Sequence, residues 1–211
     1  MNTQLQNLIN RQRQRMRDLR DDAHDLANTV ADEVWDKFEV EIEEVTADGF
    51  MFDLATNTQM ALCGMLALSY DEAFEHHVLD LFERQENELR EGGASETDFD
   101  SARISLTGLR KSLKLRTHAD DLIGQAIERA KPGLIGMLLL SSDPCSDAWD
   151  RELNNNASRL RKNLLGLREK IIESIREETR TIIQTARLGY VDMLDTLSGK
   201  VDASQSNPGA A

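Results

Sequence analysis

Four side chains able to bind a metal ion fall within six residues, Glu72, Glu75, His76 and His77. Glu72 and His76 are spaced i, i+4 and would share one face of a helix. A carboxylate-bridged di-metal bundle uses Glu-x-x-His on facing helices. Here position 73 is Ala and position 74 is Phe, so the required carboxylates are missing. His24 and His118 have no ligand-spaced partner. Acids and histidines clustered on a charged helix ordinarily form a solvated face, so no metal site and no cofactor is expected.

Nucleophilic and phosphate chemistry have no better footing. The chain contains no GxSxG elbow, no phosphate loop ending in GK[ST] and no GxGxxG motif. Gly133-Leu134-Ile135-Gly136 is too short for a phosphate cradle and opens an apolar run. Cys63 and Cys145 lie 82 residues apart without a CxxC pattern, which indicates neither zinc nor a disulfide framework and makes a reducing cytoplasm the default. The expectation is therefore a protein that is not an enzyme.

Charge is the stronger signal, because it is sorted into blocks. Residues 1–20 carry Arg11, Arg13, Arg15, Arg17 and Arg20 against Asp18 alone. Residues 21–100 hold 23 acids against Lys37, Arg84 and Arg90. A second basic cluster, Arg110, Lys111, Lys114 and Arg116, follows. Either cluster could meet phosphates of nucleic acid or lipid headgroups. The net charge of −13 and pI near 4.8 weaken long-range attraction to any polyanion, so nucleic acid is not an expected partner and a membrane surface is an alternative only. Pairing of the basic stripe with the chain's own acids, or with those of a second copy, is simpler. Glu39, Glu41, Glu43 and Glu44, preceded by Asp32, Glu33 and Asp36, form a solvated helix or strand face on the simpler reading, and a negative surface for a basic partner on the other.

The elements that must carry these groups are mostly helices. Three prolines, 5% aromatics and 30% charged residues fit helices with much exposed surface. Leu5, Ile9, Gln12, Met16, Leu19, Ala23, Leu26 and Val30 form a heptad seam broken only by Gln12. Two steps of four through Val34 and Phe38 then shift its phase. Phe38, Val40 and Ile42 alternate with glutamates, and Asp48-Gly49 precedes Phe50, Phe52 and Leu54, which predicts a small β-hairpin over 38–54. The rival is helix continuing through Phe38, Ile42 and Val45.

Helix is predicted from about Thr56 to Arg90, bent near Ser69-Tyr70, with a break over 91–95. The next helix, started by Ser95 or Thr97, carries Phe99, Ala102, Leu106, Leu109 and Leu113 and ends near Lys131, before Pro132-Gly133. Residues 133–141 form a short apolar helix or turn, and Ser142-Asp143-Pro144 opens another helix, with Asn154-Asn155-Asn156 a point of interruption. A long helix over 157–198 places Leu160, Leu164, Leu167, Ile171, Ile175, Thr179, Ile182, Ala186, Tyr190, Met193 and Leu197 on one face. The tail, 199–211, has the composition of a disordered end. The apolar stretches 60–68 and 133–140 are too short to span a bilayer and are expected in the core. The opening residues lack the apolar run of a signal peptide.

These features predict a mainly α protein, an elongated helical bundle or antiparallel coiled coil spanning 1–198 as one domain. Its expected role is that of a non-enzymatic, cytoplasmic assembly or adaptor protein, forming a homo-oligomer or docking on a larger protein complex. Leu5, Ile9, Leu19, Leu26, Ile171, Ile175 and Ile182 are the expected apolar contacts, and Arg13, Arg17, Arg20, Glu39, Glu41 and Glu43 the charged ones that set orientation. Two alternatives stand beside this role: a membrane-associated or pore-forming protein using 60–68 and 133–140, and a metal-dependent helical enzyme.

Overall fold

The computed structural model of the chain describes residues 2–100, 114–141, 144 and 146–206, and among these there is no strand. The helices are α1 (Asn2–Thr46), α2 (Ala55–Phe74), α3 (Asp80–Glu91), α4 (Lys114–Arg129), α5 (Leu134–Leu140), α6 (Asp147–Leu165) and α7 (Arg168–Ser206). A π-helical turn, Glu75–Leu79, joins α2 to α3 without interruption, and single 3-10 turns lie at Phe52–Leu54 and Glu96–Asp98. The protein is mainly α, as its composition and periodicity indicate. The chain divides into two compact units, one of residues 1–30, 74–112 and 176–211, the other of 31–73 and 113–175.

In the hairpin expected over 38–54, the first strand is replaced by helix to Thr46 and the second by a loop and the 3-10 turn Phe52–Leu54. Phe38 and Ile42, spaced i, i+4, are wholly buried, while Val40 between them is 55% exposed. Strand alternation would have turned all three to one side. The intervening glutamates are good helix formers, and Trp35 packs edge-on against Phe38, one turn on, at 5.8 Å. The helix stops at Thr46, whose hydroxyl donates to the Ile42 carbonyl at 2.7 Å. Gly49 follows at φ +92°, where a Cβ would stand 3.0 Å from that of Leu153, so the turn requires glycine for both backbone and space.

In the first unit, α1 packs antiparallel to α7. Gln6 donates to Ser198, Arg13 to Asp195, and Gln184 to the Arg20 carbonyl. It also packs antiparallel to α3, where Gln12 and Arg15 both donate to Glu88 and Leu8 lies against Gly92. Gly93 at φ +103° ends α3, and the amide of Ala94 returns to the Leu89 carbonyl. Ser95 and Asp98 then form a capping box. The helix residues expected after Phe99, together with Arg110 and Lys111, lie outside the described residues.

Asp98 ties this turn to α7 through Lys200. Burial works against its carboxylate, but hydrogen bonds from Lys200 and from the amide and hydroxyl of Ser95 outweigh that and hold its pKa below the ordinary range. A depressed carboxylate stabilises the fold above its unfolded pKa, near ~4, and the contribution is lost as pH falls through the folded value. Thermal unfolding between pH 7 and pH 3 should therefore show a steeper acid loss for the wild type than for Asp98→Asn. Equal slopes would mean that the pair contributes nothing.

The C-terminal helical face lies as the spacing predicts, with all eleven residues from Leu160 to Leu197 buried. Its backbone does not. A turn at Gly166-Leu167 separates α6 from α7, the Gly166 amide returning to the Lys162 carbonyl at 3.1 Å. Helix α6 starts at Asp147, capped by the Ser146 hydroxyl on the Trp149 amide, and it runs through Asn154–Asn156 unbroken; Ser142 and Asp143 of the helix start expected at 142–144 lie outside the described residues. Helix α7 continues past Gly199 to Ser206, with Val201 buried, where a disordered tail was expected.

Candidate docking surface

The expected charged contacts are largely satisfied within the chain. Arg13 holds Asp195, Arg20 holds its neighbour Asp21, and Glu43 receives Arg161. Glu39 accepts from the Trp35 indole at 3.2 Å; Glu41 is half-buried and Arg17 exposed. Of the expected apolar contacts, Leu5, Ile9, Leu19 and Ile182 are buried in the first unit and Ile171 and Ile175 in the second, while Leu26 is half-buried.

The candidate metal ligands are not drawn together. Glu72 is taken up by Lys37 at 3.1 Å, and His76 lies 3.8 Å from Asp80 with its ring against that of His77. Among the described residues no three His, Cys, Asp or Glu side chains are grouped to hold a metal ion. Burial, and then the hydrogen bond to Asp120, push the Cys63 thiol up to about 12. It is therefore protonated at neutral pH and a poor nucleophile.

What stands out instead is α5. The segment was expected in the core, yet Leu134 is 71%, Ile135 75%, Met137 44% and Leu138 62% exposed. Its one buried residue is Gly136. The cause is the surface beneath it. Gly136 sits directly on the Glu152 carboxylate of α6, where any Cβ would collide. Arg159 donates to that carboxylate at 3.0 Å and to the Ala130 carbonyl at 3.4 Å. Asn155 adds a 3.5 Å contact to Glu152, and Asn163 donates to the Ala126 carbonyl at 3.1 Å. A polar stripe on α6 thus clamps the end of α4 and the seat of α5. Leu134, Ile135, Met137 and Leu138 face solvent, while Leu139 and Leu140 are half-buried.

A second loop extends this face. Phe50 is buried and its amide donates to the Leu153 carbonyl at 3.2 Å, one residue from Glu152. The following turn exposes Met51 (37%) and Leu54 (52%). Lys131, just before α5, places its ammonium 4.9 Å from the Phe52 ring centre, so the turn adjoins the start of α5. The stretch 60–68, also expected in the core, is split: Leu62 and Leu66 are buried, whereas Met60 and Leu68 are exposed. Apolar side chains at 134, 137 and 138, an i, i+3, i+4 set, are the pattern a helix uses to enter another protein's surface. The spacing is readable in the sequence, and a glycine third in a seven-residue apolar helix is the sign that one side of it lies close against a neighbour.

No protein-family model matches this chain, and no curated protein and no solved structure matches it either.

Proposed function

We propose that the chain is a non-enzymatic helical assembly or adaptor protein of the cytoplasm, which acts by protein–protein contact through α5 and the adjoining 51–54 turn. The observation that carries this reading is the inside-out build of α5. Four large apolar side chains in one short helix are turned to solvent while its glycine faces the body. Clustered exposed apolar side chains mark interaction sites. The heptad seam and the antiparallel helices of the first unit act as the coiled-coil-like frame, and the acidic stretch 31–73, with eleven acids against Lys37, disfavours polyanions and nonspecific contacts.

The test compares the wild type with Ile135→Asp/Leu138→Asp. Both side chains are solvated in the isolated chain, so the double variant should keep its helicity and melt within about 2 °C of the wild type. In native extract of the source cells, the tagged wild type should migrate well above 23.8 kDa and the variant should not. Migration of the wild type as a single chain, or a large complex that persists in the variant, would overturn the reading.

A second reading, attachment to a lipid surface through α5, draws on the same exposed leucines. No helix among the described residues is long and apolar enough to cross a membrane. The acidic surroundings disfavour anionic headgroups, which places this reading second.

A further inference from the structure

We infer that the outer face of α2 is a docking surface for a basic amphipathic helix of another protein, one whose apolar stripe is flanked by lysine or arginine; this surface does not rest on α5. The observation is a helix built for burial on a side that the chain leaves open. Residues 55–70 contain no Asp, Glu, Lys or Arg in a chain that is 30% charged, and every position from Met60 to Leu68 is apolar. A helix that is apolar all round is ordinarily covered all round. Leu62, Leu66, Tyr70 and Ala73 are buried, whereas Met60 at 70% and Leu68 at 51% exposure stand outward, with Gly64 exposed between them at steps of four. A Cβ at Gly64 would have no neighbour within 4 Å. A second helix can therefore come close at Gly64 and pack between Met60 and Leu68.

The charges beside this face select the occupant. Lys37 of α1 reaches Glu72 at 3.1 Å, and the chain turns back between Thr46 and Ala55, so α1 runs antiparallel along one side of α2. Glu41, half-buried, and Glu44, exposed, follow Lys37 on its face at steps of four and three. On the other side Gln59 and Cys63 both donate to the Asp120 carboxylate, and Gly124 lies against Gln59. Helix α4 is thus also antiparallel to α2, with Asp120 and Asp121 exposed beside it. The cations are fewer. Lys37 is shared between Glu33 and Glu72, and Lys114 and Arg116 open α4 toward the end of α2 that carries Asp71 and Glu72. An apolar stripe with carboxylates on both sides complements a helix of the opposite pattern. A second copy fits poorly, because a twofold through α2 sets Glu41 and Glu44 against their own copies or against Asp120 and Asp121. The basic stripe of α1 has no apolar face to lend either, since Leu5, Ile9 and Met16 are buried.

Fluorescence anisotropy of the full chain under reducing conditions, titrated into a labelled amphipathic helix of leucine and lysine and into its leucine–glutamate twin, reads the outcome. The lysine peptide should bind at least about tenfold more tightly than the twin and weaken as salt rises. Met60→Gln/Leu68→Gln should weaken it roughly tenfold, and so should Glu44→Lys/Asp121→Lys. Gly64→Arg should abolish binding and keep the helicity, since arginine is the better helix former and meets nothing there. Ile135→Asp/Leu138→Asp should bind as the wild type does, which separates this face from α5. Equal affinity for the two peptides would overturn the inference, as would lysine-peptide binding that survives both Met60→Gln/Leu68→Gln and Gly64→Arg.

Two further measurements identify a rival occupant. A dimer in sedimentation equilibrium that Gly64→Arg dissolves would assign the face to a second copy. Flotation with phosphatidylcholine vesicles that the same variant loses would assign it to lipid, and either result overturns the basic helix. Failure of the α5 variant in native extract would leave these titrations unaffected, so the two surfaces stand or fall separately.

Discussion

Replacing Ile42 with alanine is expected to destabilise the protein by about 2–5 kcal/mol, while Val40→Ala, two residues earlier, should change stability by no more than ~0.5 kcal/mol. The contrast follows from the helix. Ile42 has no exposed surface and lies one turn beyond the equally buried Phe38, so truncation removes buried methylenes and leaves a cavity. Val40 is rotated by about 200° from Ile42 on a helix of 3.6 residues per turn and is mostly solvated. On a strand the two would share a face and show similar losses. Chemical denaturation of both variants, with the denaturant slope held as a control on two-state behaviour, therefore measures the conformation of 38–45 directly. Comparable losses at the two positions would be incompatible with helix there.

That segment also shows why short-range patterns mislead. Phe38, Val40 and Ile42 with Asp48-Gly49 satisfy a hairpin rule, but α1 arrives already wound, and extending a helix costs far less than starting one. Phe38, Ile42 and Thr46 continue its face at steps of four, and the glutamates are as content on a solvated helix as on a strand edge. The phase shift after Val30 was the available clue: a seam that steps by four through Val34, Phe38 and Ile42 is still a helical seam.

The long-range order was more legible than the boundaries. Eleven positions from Leu160 to Leu197 were placed on one face from spacing alone, and all are buried. The turn at Gly166-Leu167 leaves no trace in the spacing because it preserves that face while breaking the backbone ladder. Gly166 was its one mark in the sequence. The candidate surface was half legible. Residues 133–140 were singled out as apolar, but their exposure depends on Glu152, Asn155 and Arg159 of another helix, whose approach no local pattern encodes. Apolarity says that a segment leaves water when it can; the polar seat under Gly136 decides that it does not.

Glu88→Ala should cost about 2–3 kcal/mol in the wild type and less than ~1 kcal/mol when Gln12 is already leucine. Gln12 is the single polar residue in the heptad seam, and it is wholly buried. Its amide nitrogen donates to Glu88 at 3.1 Å, while its carbonyl oxygen finds no partner among the described residues. The same carboxylate receives Arg15 on both oxygens at 2.8 Å. Removing Glu88 strands the whole Gln12 amide in the core and releases Arg15, whose side chain is 40% exposed and can turn to water. The loss is therefore dominated by Gln12. Gln12→Leu alone removes the stranded group together with its need for Glu88, so it should be neutral or stabilising by up to ~1 kcal/mol. A double-mutant cycle on the two sites should return a coupling of about 1–2 kcal/mol. A polar residue at one seam position fixes the register of the helices against it, so Gln12→Leu should also broaden the amide signals of α1 and α3 in NMR spectra as alternative registers become accessible. A cycle with no coupling would mean that Gln12 does not depend on Glu88, and sharp spectra for Gln12→Leu would assign the register to the apolar seam alone.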